Sequence, residues 1–170
     1  MEWIICSIAV PGAIRDNFDC GIPQLNEYLQ KYAKQNHKKG IAKTWIAVPQ
    51  SGNNEVLGYY SISMAELKQE SLPTQLTKGL PRYPIPVIRI GKLAVAQTMQ
   101  GKGLGETLLV DAFAKAIRLS EDIGVFGVTV DALNESAKAF YLKYGFIPLE
   151  DNELSLFIAL KNILIFFNGV

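Results

Sequence analysis

Apolar positions along the 170-residue chain change their period several times, and each change marks an element. Residues 3–10 are almost continuously apolar and read as a buried strand. Behind the turn cluster Asn17-Phe18-Asp19-Cys20-Gly21, the residues Ile22, Leu25, Leu29 and Tyr32 recur at helical spacing. Pro23 fits the first turn of that helix, where its missing N–H is harmless, and Gly40 closes it. Residues 44–49 and 56–65 are rich in strand formers and are joined by Gln50-Ser51-Gly52-Asn53-Asn54, which predicts a hairpin. Residues 67–86 form a polar, proline-studded connection with room for a short helix. The β-branched run 87–95 is the central strand. After the turn 100–105, Leu104, Leu108, Leu109, Ala112, Phe113 and Ala116 return to helical spacing. Residues 125–130 predict a strand, 134–144 a helix ended by Gly145, and 146–149 and 154–160 the last two strands. The order of elements predicts an α/β (α+β) domain: a mixed, largely antiparallel central sheet of six to seven strands with helices on both faces.

Composition narrows the picture. With 49% apolar and 19% charged residues the chain is of globular type and long enough to bury a core. A net charge of +1 leaves any nucleic-acid contact to a local patch. Cys6 and Cys20 show no metal-ligand spacing and suit a reducing cytoplasm, and no metal site is expected. Glu2 stands where a signal peptide carries basic residues, and neither the first apolar run nor 163–170 is long enough to span a bilayer. The expectation is a cytoplasmic protein without a membrane partner.

The chemistry begins at Gln100-Gly101-Lys102-Gly103-Leu104-Gly105. Three glycines between a strand and a helix start expose backbone N–H groups where the helix dipole favours a phosphate. A P-loop is excluded because no Gly-Lys-Ser/Thr ends the turn, and a dinucleotide fold because its third, correctly spaced glycine is missing. The plain alternative is an ordinary strand–turn–helix connection.

Gln-x-x-Gly-x-Gly after a strand ending Leu93-Ala94-Val95 resembles the acetyl-CoA loop of the GNAT acyltransferases. A second signature of that family is matched by Asn134, Ala137, Tyr141, Gly145 and Phe146 behind a strand. The resemblance implies acetyl-CoA as co-substrate. It implies that the backbone of Leu93, Ala94 and Val95 holds the pantetheine, and that Gln100, Gly101, Lys102, Gly103, Leu104, Gly105 and Glu106 hold the pyrophosphate. Asn134 would orient the pantetheine arm, with a helix N-cap as its plain role. Tyr141 is the implied general acid, since a phenol stays protonated at neutral pH and can donate to sulfur. Its plain role is a core aromatic, as for Tyr144.

Phe18–Gly21 with 25–29, Gly58-Tyr59-Tyr60-Ser61-Ile62-Ser63, residues 80–87 and Ser120-Glu121-Asp122-Ile123-Gly124 resemble a narrower group, the GNAT toxins of toxin–antitoxin pairs. That likeness covers residues 1–160 and leaves an apolar tail, 161–170, outside it. It implies acetylation of the α-amino group of an aminoacyl-tRNA, blocked translation, and a ribbon-helix-helix antitoxin as partner; a homodimer is also expected. Lys92 and Ala96 replace the Arg and Asp that often flank Leu-Ala-Val in the group. A phosphate-reading patch is expected from Lys31, Lys34, Lys38, Lys39 and Lys43, with Arg82 and Arg89 beside the central strand. A solvated helix face has the same appearance. Two other classes remain open: an acetyltransferase for a small amine or a protein N-terminus, and a non-catalytic CoA- or partner-binding module.

Overall fold

The computed structural model describes residues 2–168. Met1 and the last two residues of the 161–170 tail lie outside the described residues. Seven strands form one mixed sheet in the order β1-β2-β3-β4-β5-β7-β6. They are β1 (Trp3–Ser7), β2 (Lys43–Pro49), β3 (Gly58–Leu67), β4 (Ile85–Val95), β5 (Gly127–Asp131), β6 (Ile147–Pro148) and β7 (Ser155–Ala159). The helices are α1 (Pro23–Glu27), α2 (Ala33–Lys39), α3 (Thr74–Thr77), α4 (Leu104–Ser120), α5 (Glu135–Lys143) and α6 (Leu160–Asn168).

The chain divides into two compact units, Met1–Ser63 with Gly91–Ala112, and Met64–Ile90 with Phe113–Val170. In the first, β1 pairs antiparallel with β2 from Trp3↔Pro49 to Ser7↔Trp45, and β2 pairs antiparallel with β3 from Lys43↔Ile62 to Ala47↔Gly58. Thr44 and Ser61, opposite one another in that register, satisfy each other's buried hydroxyls at 2.5 Å. Leu25, Leu29, Ile46, Val48 and Tyr59 are at the centre of this core. Gly58 lets the layers close, because a Cβ there would meet the Ala94 carbonyl at 3.0 Å and the Leu108 side chain at 3.1 Å.

In the second unit, β4 and β5 run parallel from Val87↔Gly127 to Ile90↔Val130, and β7 pairs antiparallel with both β5 and β6. Val87, Leu149, Phe157 and Ala159 fill its core, and the Phe126 and Phe157 rings stack at 5.7 Å.

Several element boundaries depart from the sequence reading. β1 stops at Ser7, where the Val10 N–H turns back to the Ser7 carbonyl. It is a half-buried strand rather than a buried one, with Ile4 exposed. The first helix is not uniform: a π-helical segment, Tyr28–Tyr32, separates α1 from α2. That wider turn shifts the buried face by one residue, so Ala33 is buried and Tyr32, expected on the apolar face, is exposed. Leu160 ends no strand; it starts α6, a helix that takes up the described part of the tail. Ile163 is buried there, while Leu164, Ile165, Phe166 and Phe167 are exposed. Among the described residues no helix is long and apolar enough to cross a membrane.

Candidate active site

β4 outruns its parallel register with β5, which ends at Ile90, and residues 91–95 carry the strand on toward the glycine turn. Its end is fastened by the Ala96 N–H, which donates to the Leu57 carbonyl at 2.8 Å, and by the Gln97 N–H, which donates to the Asp19 carbonyl at 2.9 Å. The Gln100 side-chain amide donates to the carbonyls of Val95, 2.9 Å, and Cys20, 3.1 Å. Gln100 therefore holds the turn in shape, a role that its place in the motif did not reveal.

Gly101 and Gly103 have φ of 79° and 88°, the left-handed region where a side chain is strained. A Cβ on either would meet nothing within 4 Å, so the backbone faces open space. α4 then runs for 17 residues with Leu104, Leu108, Leu109 and Ala112 buried. The Thr107 N–H donates to the Gly103 carbonyl at 3.1 Å, and the amides ahead of it are those that a helix start leaves without an intrahelical acceptor. Bare backbone, a row of N–H groups and a helix dipole fit the pyrophosphate of acetyl-CoA. Leu104 has only its backbone to offer there, since its side chain is in the core. Lys102 and Glu106 are exposed.

In the second unit, Asn134 is the N-cap of α5: its Oδ1 accepts from the Ala137 N–H at 2.8 Å. The cap uses the side-chain carbonyl, and the amide nitrogen is a separate donor. Tyr141 is 5% exposed, its ring edge-on to Phe140 at 5.2 Å and to Phe146 at 5.3 Å. Burial pushes the phenol well above its ordinary pKa, so it keeps its proton throughout the physiological range. Tyr59 is a useful contrast. It too is buried and raised by desolvation, but its hydroxyl donates to the Leu25 carbonyl at 2.7 Å and serves the core. Tyr144 is half-buried against Phe140, with the Lys143 ammonium 5.5 Å from its ring centre.

The expected basic patch separates into parts. Lys31, Lys34 and Lys38 line one cavity, at spacings of three and four that share a helix face. Lys39 is exposed one position further on, and Lys43 donates to the His37 carbonyl at 3.0 Å, at the end of α2. Arg89 is ion-paired with Asp131, which also accepts from the Ser155 hydroxyl at 2.7 Å. Arg82 is exposed ahead of β4. Lys92, at the position where the group often has Arg, lies with its ammonium 4.4 Å from the Tyr28 ring centre. Among the described residues no group of three or more His, Cys, Asp and Glu could hold a metal ion.

The comparisons with known proteins agree with this architecture. The family model for an acetyltransferase (GNAT) domain matches residues 40–148. A tRNA-acetylating toxin of Mycobacterium tuberculosis is 31% identical over 146 residues, 86% of each chain. The structure of AtaT complexed with acetyl-methionyl-tRNAfMet superposes with a TM-score of 0.91 at 32% identity, covering 98% of this chain and 99% of that one. A tyrosine-to-phenylalanine mutant of the AtaT toxin, bound to the C-terminus of the antitoxin AtaR and to acetyl-CoA, gives 0.84 at 30% identity over 97% and 98%. Together with the glycine turn at the start of α4 and the capped helix α5, the match over residues 40–148 means that this chain belongs to the GNAT acetyltransferases.

Proposed function

We propose that this protein transfers the acetyl group of acetyl-CoA to the α-amino group of an aminoacyl-tRNA, and so blocks translation as the toxin of a toxin–antitoxin pair. The observation that carries the reading is likeness over nearly the whole chain to AtaT holding an acetylated aminoacyl-tRNA. Acetyl-CoA supplies an activated thioester. The backbone of Leu93, Ala94 and Val95 binds its pantetheine arm and polarises the carbonyl, and the turn from Gln100 to Glu106 binds the pyrophosphate through N–H groups. The neutral amine attacks the carbonyl carbon, an N–C bond forms, and the C–S bond breaks. The departing sulfur takes its proton from the Tyr141 hydroxyl. A phenol held above its ordinary pKa surrenders that proton reluctantly, so transfer runs in step with its replacement by the proton that the attacking amine loses.

An antitoxin with a ribbon-helix-helix part and a tail that orders on the toxin is the proposed partner, supported by the AtaR-bound relative. The protein works in the cytoplasm, where charged tRNA is found, and as a homodimer; a monodisperse monomer in light scattering would remove the dimer. Incubation with labelled acetyl-CoA and charged total tRNA, followed by hydrolysis and identification of the acetylated aminoacyl species, tests the substrate. Label in a small amine or a protein N-terminus, with none in the tRNA fraction, would replace it.

A further inference from the structure

A cavity of about 470 Å3 lies between the β1–α1 connection and the helical face carrying Lys31, Lys34 and Lys38. Arg15, Gln30 and His37 are its half-buried residues, and the three exposed lysines are its rim. Its lining contains four permanent cations and no carboxylate.

The polar groups of the cavity are fixed by the fold. The π-helical turn leaves the Leu29 carbonyl facing Arg15, whose guanidinium donates to it at 3.0 Å and to the Gln30 carbonyl at 3.5 Å. A guanidinium has five N–H donors, so those two bonds leave others for a ligand. The Gln30 amide nitrogen donates to the Phe18 carbonyl at 3.1 Å. His37 is held from both sides: its Nδ1 accepts from the Thr44 N–H at 2.9 Å, and its Nε2 lies 3.2 Å from the Ser7 hydroxyl. The bond to Nδ1 requires a neutral ring with the proton on Nε2. Burial and then the Lys43 ammonium hold its pKa below the ordinary imidazole value, in keeping with that state. The charge of the cavity is therefore that of Arg15 on one side and the three lysines on the other.

We infer that this cavity is a seat for one phosphodiester unit of RNA, with Arg15, Lys34 and Lys38 on the phosphate and the Gln35 amide available to the adjoining ribose hydroxyl. The inference rests on the tRNA reading above and gives it a specific contact. Four cations without a carboxylate select a phosphate ester. The volume exceeds that of a bare phosphate and falls in the range of about 300–1,000 Å3 that holds a small ligand, here a phosphate with its sugar. The aliphatic stems of the rim lysines and Ala9 give the sugar an apolar wall. Only RNA offers the 2′-hydroxyl as both donor and acceptor to an amide.

The test uses the whole protein and uncharged tRNA, whose binding needs no acetyl transfer. Lys34→Gln with Lys38→Gln alters two exposed side chains, and thermal melting checks that the fold is kept. Fluorescence anisotropy should show tRNA affinity falling about tenfold, with the slope of log K against log salt reduced by about one, as for one lost phosphate contact. Lys39→Gln, past the rim, should lower the slope by less than half as much. Equal effects from Lys39→Gln and Lys38→Gln would make the helix a diffuse cationic face and overturn the inference. Calorimetric titration with acetyl-CoA and with inorganic pyrophosphate separates the other sources. Affinity for either that falls in the double variant, with tRNA binding unmoved, would give the cavity to a free phosphate compound. Acetylation of charged tRNA by a double variant as efficient as wild type would sink the cavity alone. Cavity-dependent tRNA binding by a wild type that acetylates no charged tRNA would sink the proposed substrate alone.

Discussion

The glycine turn at the start of α4 and the helix α5 carry the two motifs, and they are built in opposite ways. What the turn offers is backbone: Gly101 and Gly103 take conformations that side chains resist, and nothing lies within 4 Å of a Cβ on either. The candidate group of α5 is one side chain, and Tyr141 is packed so well among aromatics that its surroundings match those of a core residue. Turn geometry therefore shows a backbone that a ligand can approach, whereas a buried phenol shows no such access. The Tyr59–Tyr141 pair makes the point, since both are raised by burial and only the first has its hydroxyl on a core carbonyl.

The largest expected effect breaks the side-chain half of that comparison. Tyr141→Phe removes one oxygen and keeps the ring against Phe140 and Phe146. Acetyl transfer should fall by about 10²–10⁴-fold, the range of general acid catalysis, while acetyl-CoA affinity stays nearly unchanged. Tyr144→Phe, half-buried and without a motif role, should behave like wild type in both assays. A dead Tyr144→Phe beside an active Tyr141→Phe would shift the motif register by three residues, nearly one helical turn. The pH profile adds a sign. Because burial raises the Tyr141 pKa above its ordinary value of about 10, its loss of a proton cannot produce a falling limb below that pH. The rate should rise as the α-amino group deprotonates, near pH 8 for an ordinary amine, and then level off. A falling limb near pH 8 that disappears in Tyr141→Phe would mean that the hydroxyl titrates there, against its burial.

The backbone half should break more gently. Gly103→Glu puts a side chain on a residue at φ 88° and a negative charge among the N–H groups at a helix start. Left-handed strain of about 1–2 kcal/mol together with repulsion of the pyrophosphate should weaken acetyl-CoA binding by about tenfold or more. Since a Cβ there meets nothing within 4 Å, the fold should survive. Unchanged affinity in a calorimetric titration would remove the turn from the cofactor site.

Much of this was legible because it rests on local rules. The strand into Val95, the helix from Leu104 with its apolar face, and Asn134 as an N-cap follow from spacing and residue type. The π-helical turn was not legible, because one residue of extra winding leaves the apolar letters in place and only changes which of Tyr32 and Ala33 faces inward. Short apolar runs also misled, since residues 3–10 and 154–160 do not reveal where a strand ends and a turn or helix takes over. Arg15 carried no signal at all. Its place beside the lysines depends on a carbonyl that the π turn frees, an event 14 residues away in sequence. Conversely, Arg89 looked available and is engaged by Asp131, a partner 42 residues distant.

Asn134 gives the smallest effect and the finest division between the two modes, because it serves the backbone through Oδ1 and could serve a ligand through its amide nitrogen. Asn134→Ala removes both and should cost about 1 kcal/mol of stability, the usual value of a lost N-cap. Asn134→Ser keeps an oxygen that caps equally well and lacks the amide donor. If the residue only starts the helix, Asn134→Ser should melt with wild type and bind acetyl-CoA as wild type does. If the amide also orients the pantetheine arm, as the family resemblance implies, Asn134→Ser should still melt with wild type. Its acetyl-CoA affinity should then fall by about two- to tenfold, the worth of one hydrogen bond of about 0.5–1.5 kcal/mol. Melting and calorimetry on the two variants separate the cases. An Asn134→Ser protein with full stability and full affinity would leave α5 with Tyr141 as its one functional side chain.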